Sequence, residues 1–536
     1  MKIITTIICC LIAFIATAQW TTDTDVNTLV VDAEAGDMQA IGTSDGKTYV
    51  VFWESVPAPT YYELRLQVLD ANGNQTLGSN GMLVSDQISM SSYTVIWKIF
   101  TDGEDNIYIG ATGTGGGDPA YVFKLDSQGN HLWGTSGVNV GNGNVVTVLP
   151  MADGGAVVSW MGDAGGLMQR FDENGAAVWP NDISIVQGSS ATVPANLFEL
   201  SDGNYIVVFH SILFGINSNL YAQRYDGDGN AVWPQPTQVA SGLTAFNRSY
   251  TGLQDEDVVY MGYFLADNNR FDSYLQRINS DGSLPWGING ADFAVGQADL
   301  EMETEIAFEP GTQYVWSIVT YADSNQNFKG EYVQKFDKAS GEGLLTVNAK
   351  SIYPIGSEKI HAGSLMLRDG SPLFLMQDGL DTGASPITLH AVYLDENGDF
   401  VWPEETYPVA TFQANKGRIQ FTREGNNQNV AVFIENKGEG DRIYAQNILF
   451  ETVGIEDVSQ IVLRFANPVA DELNITSNTP IQTISIFNSL GQEIFHSKYM
   501  GESNVKVNTR NWTQGVYFMN ISTDQGLKKG LKFIKH

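Results

Sequence analysis

The side chains able to do acid–base chemistry in this sequence are mainly carboxylates. The chain of 536 residues holds 61 Asp and Glu against 29 Lys and Arg, so its formal net charge is -32. A pair of carboxylates is enough to cleave a glycosidic bond, and the composition therefore leaves a polysaccharide-degrading enzyme open. The same charge argues against nucleic acid as a partner, because phosphate binding depends on clustered Lys and Arg.

Other chemically active groups are scarce. The histidines show neither HxH nor HExxH spacing and no GxSxG motif occurs, so the sequence predicts no catalytic residue, metal ligand or cofactor site. Both cysteines, Cys9 and Cys10, lie in a segment that we expect to be removed, which leaves no thiol nucleophile and no disulfide. The histidines are His131, His210, His361, His390, His496 and His536.

Four aspartates occupy equivalent places in a repeated motif. They are Asp126, Asp172, Asp226 and Asp395, and one copy of the motif reads QRFDENGAAVW from Gln169. An acid repeated at every turn indicates a carboxylate that accepts backbone N–H groups of the turn. A calcium loop beginning at Asp226 is the alternative, although no bidentate acid follows at the EF-hand offset.

The elements that position these aspartates are short strands. Successive turn positions lie 46 to 58 residues apart, and each follows an apolar run such as YVVFW or YIVVF by about 20 residues. Such runs are typical of strands, and the Asn-Gly and Asp-Gly pairs between them favour hairpins. Four strands at this period indicate a propeller blade. We therefore predict an all-β protein whose residues 19–453 form a β-propeller, with eight blades favoured and seven possible.

Five tryptophans each stand seven residues after the turn position. They are Trp133, Trp179, Trp233, Trp286 and Trp402. A fixed offset puts each indole at an equivalent place in its repeat, which indicates packing between neighbouring blades. An aromatic ring that binds a ligand is the alternative.

The beginning of the chain predicts export. Residues 1–18 combine Lys2 with an apolar stretch of signal-peptide length, and we place the cleavage between Ala18 and Gln19. No other stretch is apolar enough to span a membrane. Farther on, TLVV from Thr28 is similar to the strand that follows each repeat tryptophan, so we expect it to complete the last blade, which runs from about Gly425 to Val453 without its own last strand.

These repeats resemble the β-propeller repeats of secreted bacterial proteins. The resemblance covers roughly residues 20 to 453 and implies architecture but no activity. The motif is also close to the Asp-box of sialidases, but here the tryptophan follows the glycine by four positions and no regular serine precedes the aspartate.

The repeats stop near residue 454, and residues 455–536 are predicted to form a small β-sandwich of about seven short strands. This segment resembles the type A C-terminal sorting domain of the type IX secretion system of the Bacteroidetes. The resemblance implies transport across the outer membrane by that machinery, removal of the domain by a sortase-like protease, and release or attachment to surface lipopolysaccharide. The residues that carry it are Asn467, Pro468, Leu473, Ile475, Gly491, Gln492, Gly515, Val516, Tyr517, Lys532 and Phe533.

We expect a secreted or surface-attached binding protein, exported through the periplasm, whose propeller recognises an extracellular glycan or protein. A propeller glycoside hydrolase or polysaccharide lyase, and a structural or adhesion component of the cell surface, are the alternatives. The side chains that line the centre of the propeller distinguish them, since three or more converging acids or histidines would favour the enzyme.

Overall fold

The computed structural model describes residues 20–57, 61–88, 97–113, 119–214, 217–245, 250–267, 270–296, 298–379, 386–448, 463–465, 467–489, 491–523 and 528–536. All regular elements among them are strands. The chain divides into two compact units, Met1–Ile448 and Leu449–His536. The signal segment, the cleavage residues Ala18 and Gln19 and the junction at residues 449–462 lie outside the described residues.

The first unit consists of antiparallel sheets, each built from four strands that follow one another in the chain, apart from sheet 8. The first strands of sheets 1 to 8 are Ala35–Gly42, Lys98–Thr101, Asn144–Pro150, Thr192–Glu199, Thr251–Asp255, Leu300–Ala307, Lys359–Arg368 and Lys416–Arg423. The second strands are Thr48–Ser55, Ile107–Thr112, Ala156–Gly162, Tyr205–Phe214, Val258–Asp267, Tyr314–Ala322, Ser371–Asp378 and Asn429–Asn436. The third strands are Tyr62–Leu69, Pro119–Leu125, Gly165–Phe171, Asn217–Tyr225, Arg270–Ile278, Lys329–Asp337, Ile387–Tyr393 and Asp441–Asn447.

The fourth strands are shorter in most sheets. They are Met82–Ser85, Val138–Asn142, Ile183–Ser184, Thr237–Gln238, Ala291–Asp292, Lys350–Tyr353, Tyr407–Ala414 and, in sheet 8, Thr28–Val31. One further pair of residues, Thr244–Ala245, bonds to the third strand of sheet 4.

The sheets pack face to face in chain order. The second strands are buried on both faces, because they carry apolar side chains at nearly every position and lie between neighbouring sheets. One core cluster joins Tyr49, Val51 and Trp53 of sheet 1 to Ile107 and Ile109 of sheet 2. Each sheet contacts the next, sheet 8 contacts sheet 1, and the first strands contact one another around most of this cycle.

Strand direction gives the first unit two distinct faces. The turns between first and second strands and between third and fourth strands lie on one face, which we call the turn face. The loops between second and third strands, and the connections from one sheet to the next, lie on the opposite face, which we call the loop face. Every first strand therefore begins at the loop face.

Sheet 8 closes the cycle with strands from two distant parts of the sequence. Thr28–Val31 pairs antiparallel with Asp441–Asn447, and Thr28 stands opposite Ala445. The sequence analysis started this sheet at Gly425, which is wrong: its first strand begins at Lys416, whose polar and bulged sequence lacks the apolar run used to recognise strands.

A buried carboxylate lies at the seam between sheets 8 and 1. Glu424 is 2% exposed, and its Oε1 accepts hydrogen bonds from Thr48 Oγ1 at 2.9 Å and Thr422 Oγ1 at 2.6 Å. Its Oε2 is buried without a partner in the described residues. Burial raises the pKa of Glu424 to about 7.

The second unit contains five strands in the described residues, rather than about seven. They are Leu463–Arg464, Glu472–Asn488, Glu493–Asn508, Gly515–Thr523 and Lys528–Lys535, and they form a single hydrogen-bonded sheet. Glu472–Asn488 is one continuous strand, although polar residues interrupt its alternating pattern near its middle, and this lowers the number of strands below the expected seven. Both halves of this strand place side chains, including Leu473 and Ile484, in the same hydrophobic cluster.

Candidate functional site

The four aspartates of the repeat lie in the turns of the turn face. Asp226 Oδ1 accepts the N–H groups of Asp228 at 3.0 Å and Asn230 at 2.8 Å, while the Asn230 side chain donates to Oδ2. These donors hold the pKa of Asp226 below its usual value, the Asn230 side chain contributing most. Asp126, Asp172 and Asp395 accept the corresponding pair of backbone N–H groups in their own turns.

The repeat tryptophans join each sheet to the next. The indole Nε1 groups of Trp133, Trp179 and Trp233 donate to the carbonyls of Glu173, Gly227 and Ser280 at 3.0, 3.0 and 3.2 Å. Each acceptor is the residue after the turn Asp or Asn of the following sheet. The three side chains are buried, at 5%, 5% and 8% exposure.

The other two repeat tryptophans differ in their surroundings. Trp286 Nε1 is buried with no hydrogen-bond partner in the described residues. The turn of the next sheet is one residue longer at this position, since Gly341 N bonds to Asp337 O. The carbonyl of Lys338 in that turn accepts a hydrogen bond from the guanidinium of Arg277. Trp402 is partly buried and its ring lies 5.9 Å from Tyr393 and 5.7 Å from Tyr407.

The cycle is closed by a tryptophan that sequence reasoning missed. Trp20 Nε1 donates to Ala71 O at 3.0 Å, and Ala71 follows the turn residue Asp70 of sheet 1. Gln446 Nε2 donates to Thr21 O at 2.8 Å, just as Gln276 bonds to Gly287 O in sheet 5. Residues 20–31 therefore supply the second half of the eighth repeat, which could have been found by aligning Trp20 with the other repeat tryptophans.

The residues of the tail motifs hold the second unit together. The side chain of Asn467 accepts Ile534 N at 2.9 Å, and Gly491 takes the positive φ of a turn closed by Gln492 N on Asn488 Oδ1. Tyr517 and Phe533 stack at 5.6 Å in the core. Leu473 and Ile475 are buried in that core, Pro468, Gly515, Val516 and Lys532 are exposed, and Leu490 lies outside the described residues.

A second group of polar residues lies on the first strands near the loop face, where the sequence analysis assigned nothing. We call the following set the central cluster: Asp37, Lys98, Glu303, Glu305, His361 and Arg418. In sheets 1, 6, 7 and 8 these residues lie at or before the point where the pairing register between the first and second strands shifts. Lys98 is the first residue of the first strand of sheet 2. The strand LEMETEIA, with a Glu at every second position, was the signal available in the sequence.

The backbone at two of these positions is strained. Glu303 and Arg418 lie in register shifts and have φ angles of 55° and 51°, which side-chain-bearing residues seldom adopt. Such a conformation costs about 1–3 kcal/mol and persists where the surrounding structure enforces it, most often at functional sites.

Sheets 6 and 7 provide the acidic half of the central cluster. Glu331, a fully buried residue of sheet 6, accepts His361 Nδ1 at 2.9 Å through Oε1 and His361 N at 3.0 Å through Oε2. Burial disfavours the charge of His361, but Glu331 outweighs it and raises the pKa of His361 to about 9. Burial raises the pKa of Glu305, which bonds to Thr251 of sheet 5 and Leu365 of sheet 7.

A further acid of the same strand is tied to its neighbours. Glu301 is 1% exposed and accepts Ser273 N at 3.1 Å and the Tyr321 hydroxyl at 3.1 Å. Burial raises the pKa of Glu301 to about 8, so this group is protonated in part at neutral pH.

Sheets 8, 1 and 2 provide the basic half. Arg418 Nε lies 3.0 Å from Asp37 Oδ1, and the indole of Trp97 donates to Asp37 Oδ2 at 3.0 Å. Lys98 Nζ reaches Ala195 O of sheet 4 at 3.3 Å and lies 5.2 Å from the ring centre of Tyr250. Burial lowers the pKa of Lys98 to about 8.

Within the described ranges, no group of three or more His, Cys, Asp and Glu side chains has the geometry to hold a metal ion. No helix in the described part of the chain is long and apolar enough to cross a membrane. The central cluster can therefore supply charges, hydrogen bonds and proton transfer through its own side chains.

The comparison with protein families concerns the tail. The family model described as the secretion system C-terminal sorting domain matches residues 465–536. This sorting tail belongs to type IX secretion, so the protein is handled by that machinery and is exported to the cell surface or secreted. No curated protein matches the sequence of the chain.

Solved structures share only distant similarity with the chain. Prolyl oligopeptidase B from Galerina marginata is similar over 77% of this chain and 56% of its own, with 14% identity and a TM-score of 0.42. A polysaccharide lyase of family PL25, an ulvan lyase, is similar over 95% of both chains with 13% identity and a TM-score of 0.30. A protein of unknown function from Dyadobacter fermentans is similar over 79% of this chain and 97% of its own, with 10% identity and a TM-score of 0.38. This chain thus spans little more than half of prolyl oligopeptidase B, and similarity at this level identifies no activity.

Proposed function

We propose that the chain is an exported binding protein whose eight sheets are the blades of a closed β-propeller. It recognises a polar extracellular ligand, a glycan or a protein, at the loop face through the central cluster. The observation that carries this proposal is the placement of Lys98, Glu303 and Arg418 in the loop-face half of the first strands, with Glu305 near the middle of its strand. The turn face, by contrast, carries repeated turns whose aspartates already accept backbone N–H groups of the same turn.

Binding is favoured over catalysis by the way the acids are used. Glu331 is fully buried and both of its oxygens accept hydrogen bonds from His361. Glu301 is likewise bonded to Ser273 and Tyr321. These groups stabilise the sheets, whereas Glu303 and Glu305 are partly exposed and can meet a ligand, although Glu305 is also bonded to Thr251 and Leu365.

One observation supports a second candidate, a propeller enzyme that cleaves polysaccharides. Glu303 and Glu305 stand close enough to His361 for their charges to raise its pKa. Half-buried carboxylates beside an imidazolium can share the work of a general acid and a general base. Glu303, Glu305 and His361 thus meet the criterion of three or more converging acids or histidines that would favour an enzyme.

The export route completes the proposal. We infer a signal peptide of residues 1–18, Sec export through the periplasm of a member of the Bacteroidetes, and loss of the tail after residue 453. The mature protein then begins at Gln19 and is released or attached at the cell surface.

The test is binding of purified exported protein to a panel of extracellular polysaccharides by affinity electrophoresis and calorimetry. We expect retention on at least one glycan, lost in the Glu303→Gln, Glu305→Gln double variant and kept in Lys350→Gln, a control on the turn face. Release of unsaturated or reducing-end products by the wild type, abolished by Glu305→Gln, would establish the enzyme instead. Retention unaffected by both central substitutions would place the binding site elsewhere.

A further inference from the structure

Lys98 is a cation with no carboxylate partner among the described residues. Its Nζ donates to the Ala195 carbonyl at 3.3 Å and lies over the Tyr250 ring, and within the described residues it forms no ion pair with a carboxylate. Only desolvation shifts its proton affinity, which agrees with the lack of a nearby charge. In a chain with a net charge of -32, an acid for this lysine would be easy to provide.

Two other cations of the first strands differ from Lys98, because each forms an ion pair with a carboxylate. Arg418 is paired with Asp37 in the same cluster, and Lys416 is paired with Glu435 at 2.7 Å beneath it. Buried charges in proteins are normally paired, because removal from water is costly unless an opposite charge compensates for it. Lys98 is partly buried and bears part of that cost without a carboxylate from the described residues.

The groups around Lys98 do not supply a negative charge that would compensate for its own. His210 lies behind Tyr250, with ring centres 5.4 Å apart, and its Nδ1 is bonded to Ser218 Oγ at 2.9 Å and Thr244 Oγ1 at 3.1 Å. Burial lowers the pKa of His210 to about 3, so the imidazole is neutral. Tyr250 offers the face of its ring, which favours a charged amine but leaves its hydrogen-bonding sites unfilled.

We propose that Lys98 is the anion-binding residue of the central cluster and that its counter-ion is a carboxylate or sulfate group of a saccharide ligand. This rests on the proposed function and narrows its ligand class to acidic glycans. In a ring of eight blades, sheet 2 lies opposite sheet 6. A saccharide held by its anionic group at Lys98 then extends across the centre, where its hydroxyl groups meet Glu303 and Glu305.

The test uses the exported protein with three probes: an oligogalacturonide, which carries carboxylates, a sulfated oligosaccharide, and a neutral malto-oligosaccharide. Lys98→Met removes the charge and keeps the length of the side chain. Lys335→Met is the matched control, because Lys335 also has no carboxylate partner in the described part of the chain and lies over Tyr314 and Trp316 in sheet 6. We expect Lys98→Met to weaken binding of one charged probe by about tenfold or more, and Lys335→Met to leave it unchanged.

A second measurement separates a binding lysine from a structural one. Removal of an uncompensated charge should raise the thermal midpoint of Lys98→Met above that of the wild type, whereas loss of a structural contact would lower it. Inorganic sulfate, compared with chloride at equal ionic strength, should raise the midpoint of the wild type and of Lys335→Met more than that of Lys98→Met.

The outcomes distinguish the two proposals. A sulfate effect that depends on Lys98, without binding of any oligosaccharide, would keep the anion site and overturn the saccharide ligand. Saccharide binding that is equal in the wild type and Lys98→Met would overturn the role of Lys98 and leave the proposed function standing. A lower midpoint with unchanged binding would show that Lys98 is structural. The two charged probes decide between a carboxylate and a sulfate.

Discussion

The indole hydrogen bonds between sheets can be measured against a control that the protein itself provides. Trp133, Trp179 and Trp233 each donate to a turn carbonyl of the next sheet, whereas Trp286 occupies the equivalent place without an acceptor in the described residues. Substitution of each by Phe removes the N–H group and part of the ring at all four positions. The difference between the four variants therefore isolates the hydrogen bond.

The expected loss of unfolding free energy follows from the interactions that each substitution removes. The smaller ring costs a similar amount at every position, because all four indoles pack over a turn glycine of the next sheet. A hydrogen bond contributes about 0.5–1.5 kcal/mol, and the Ser280 carbonyl keeps a second donor, Arg224 Nη1 at 2.9 Å, when Trp233 is replaced. Trp133→Phe and Trp179→Phe should therefore be less stable than Trp286→Phe by about 1 kcal/mol each, and Trp233→Phe by less, because the Ser280 carbonyl still accepts from Arg224. The full truncation Trp233→Ala should cost about 3–5 kcal/mol.

The assay is urea unfolding followed by near-ultraviolet circular dichroism, with all variants compared at a common slope. Equal destabilisation of Trp286→Phe and the other three would show that the hydrogen bonds contribute nothing. Wild-type stability of Trp233→Ala together with lost glycan binding would assign the tryptophans to recognition, the alternative that the sequence left open.

Three further predictions follow from the closure and export of the first unit. Mass spectrometry of the secreted protein should find a chain that begins at Gln19 and ends near Gly454; an intact terminus at His536 would contradict it. Deletion of residues 20–34 should lower the unfolding midpoint of the whole first unit, because it removes the strand and the tryptophan that close sheet 8, and an unchanged midpoint would exclude that role. Since the pKa of Glu424 is raised from 4.5 to about 7 on folding, the folded state binds the extra proton and stability falls as pH rises through that interval, by up to about 3 kcal/mol. Glu424→Gln should show a flatter stability profile between about pH 5 and about pH 8, and an unchanged profile would refute this assignment.

The repeated part of the fold could be predicted because each copy of the motif contains the residues that form its turn. The Asp of the motif accepts two backbone N–H groups, and its glycine supplies a positive φ, as at Gly229 with φ of 83°. The Gln of the motif, such as Gln169, bonds to the backbone of Arg170 and Trp179 and so holds the segment after the turn against the third strand. A motif whose residues contact one another within a single repeat can be recognised from one sequence.

The first strands, and with them the central cluster, could not be predicted in this way. Their apolar alternation is broken by register shifts, as in Leu300–Ala307 and Lys416–Arg423, and they carry charges that suggest exposed loops. Which of these charges meet depends on contacts between sheets. His361 and Glu331 lie 30 residues apart, and Lys98 reaches Ala195 across 97 residues. No spacing rule in the sequence links such positions.

The closing sheet also constrains when the fold can form. Sheet 8 needs Thr28–Val31 from the beginning of the unit and Asp441–Asn447 from its end, so the cycle stays open until nearly all of the unit is present. Until then the third strand of sheet 8, Asp441–Asn447, has an unpaired edge, and such edges are prone to pair with other chains. The sorting tail at residues 465–536 comes after Asp441–Asn447, the last strand of the cycle, in the chain. By the time the tail is available to the secretion machinery, every residue that closes the cycle has therefore been made, and export of an already closed first unit is consistent with this order.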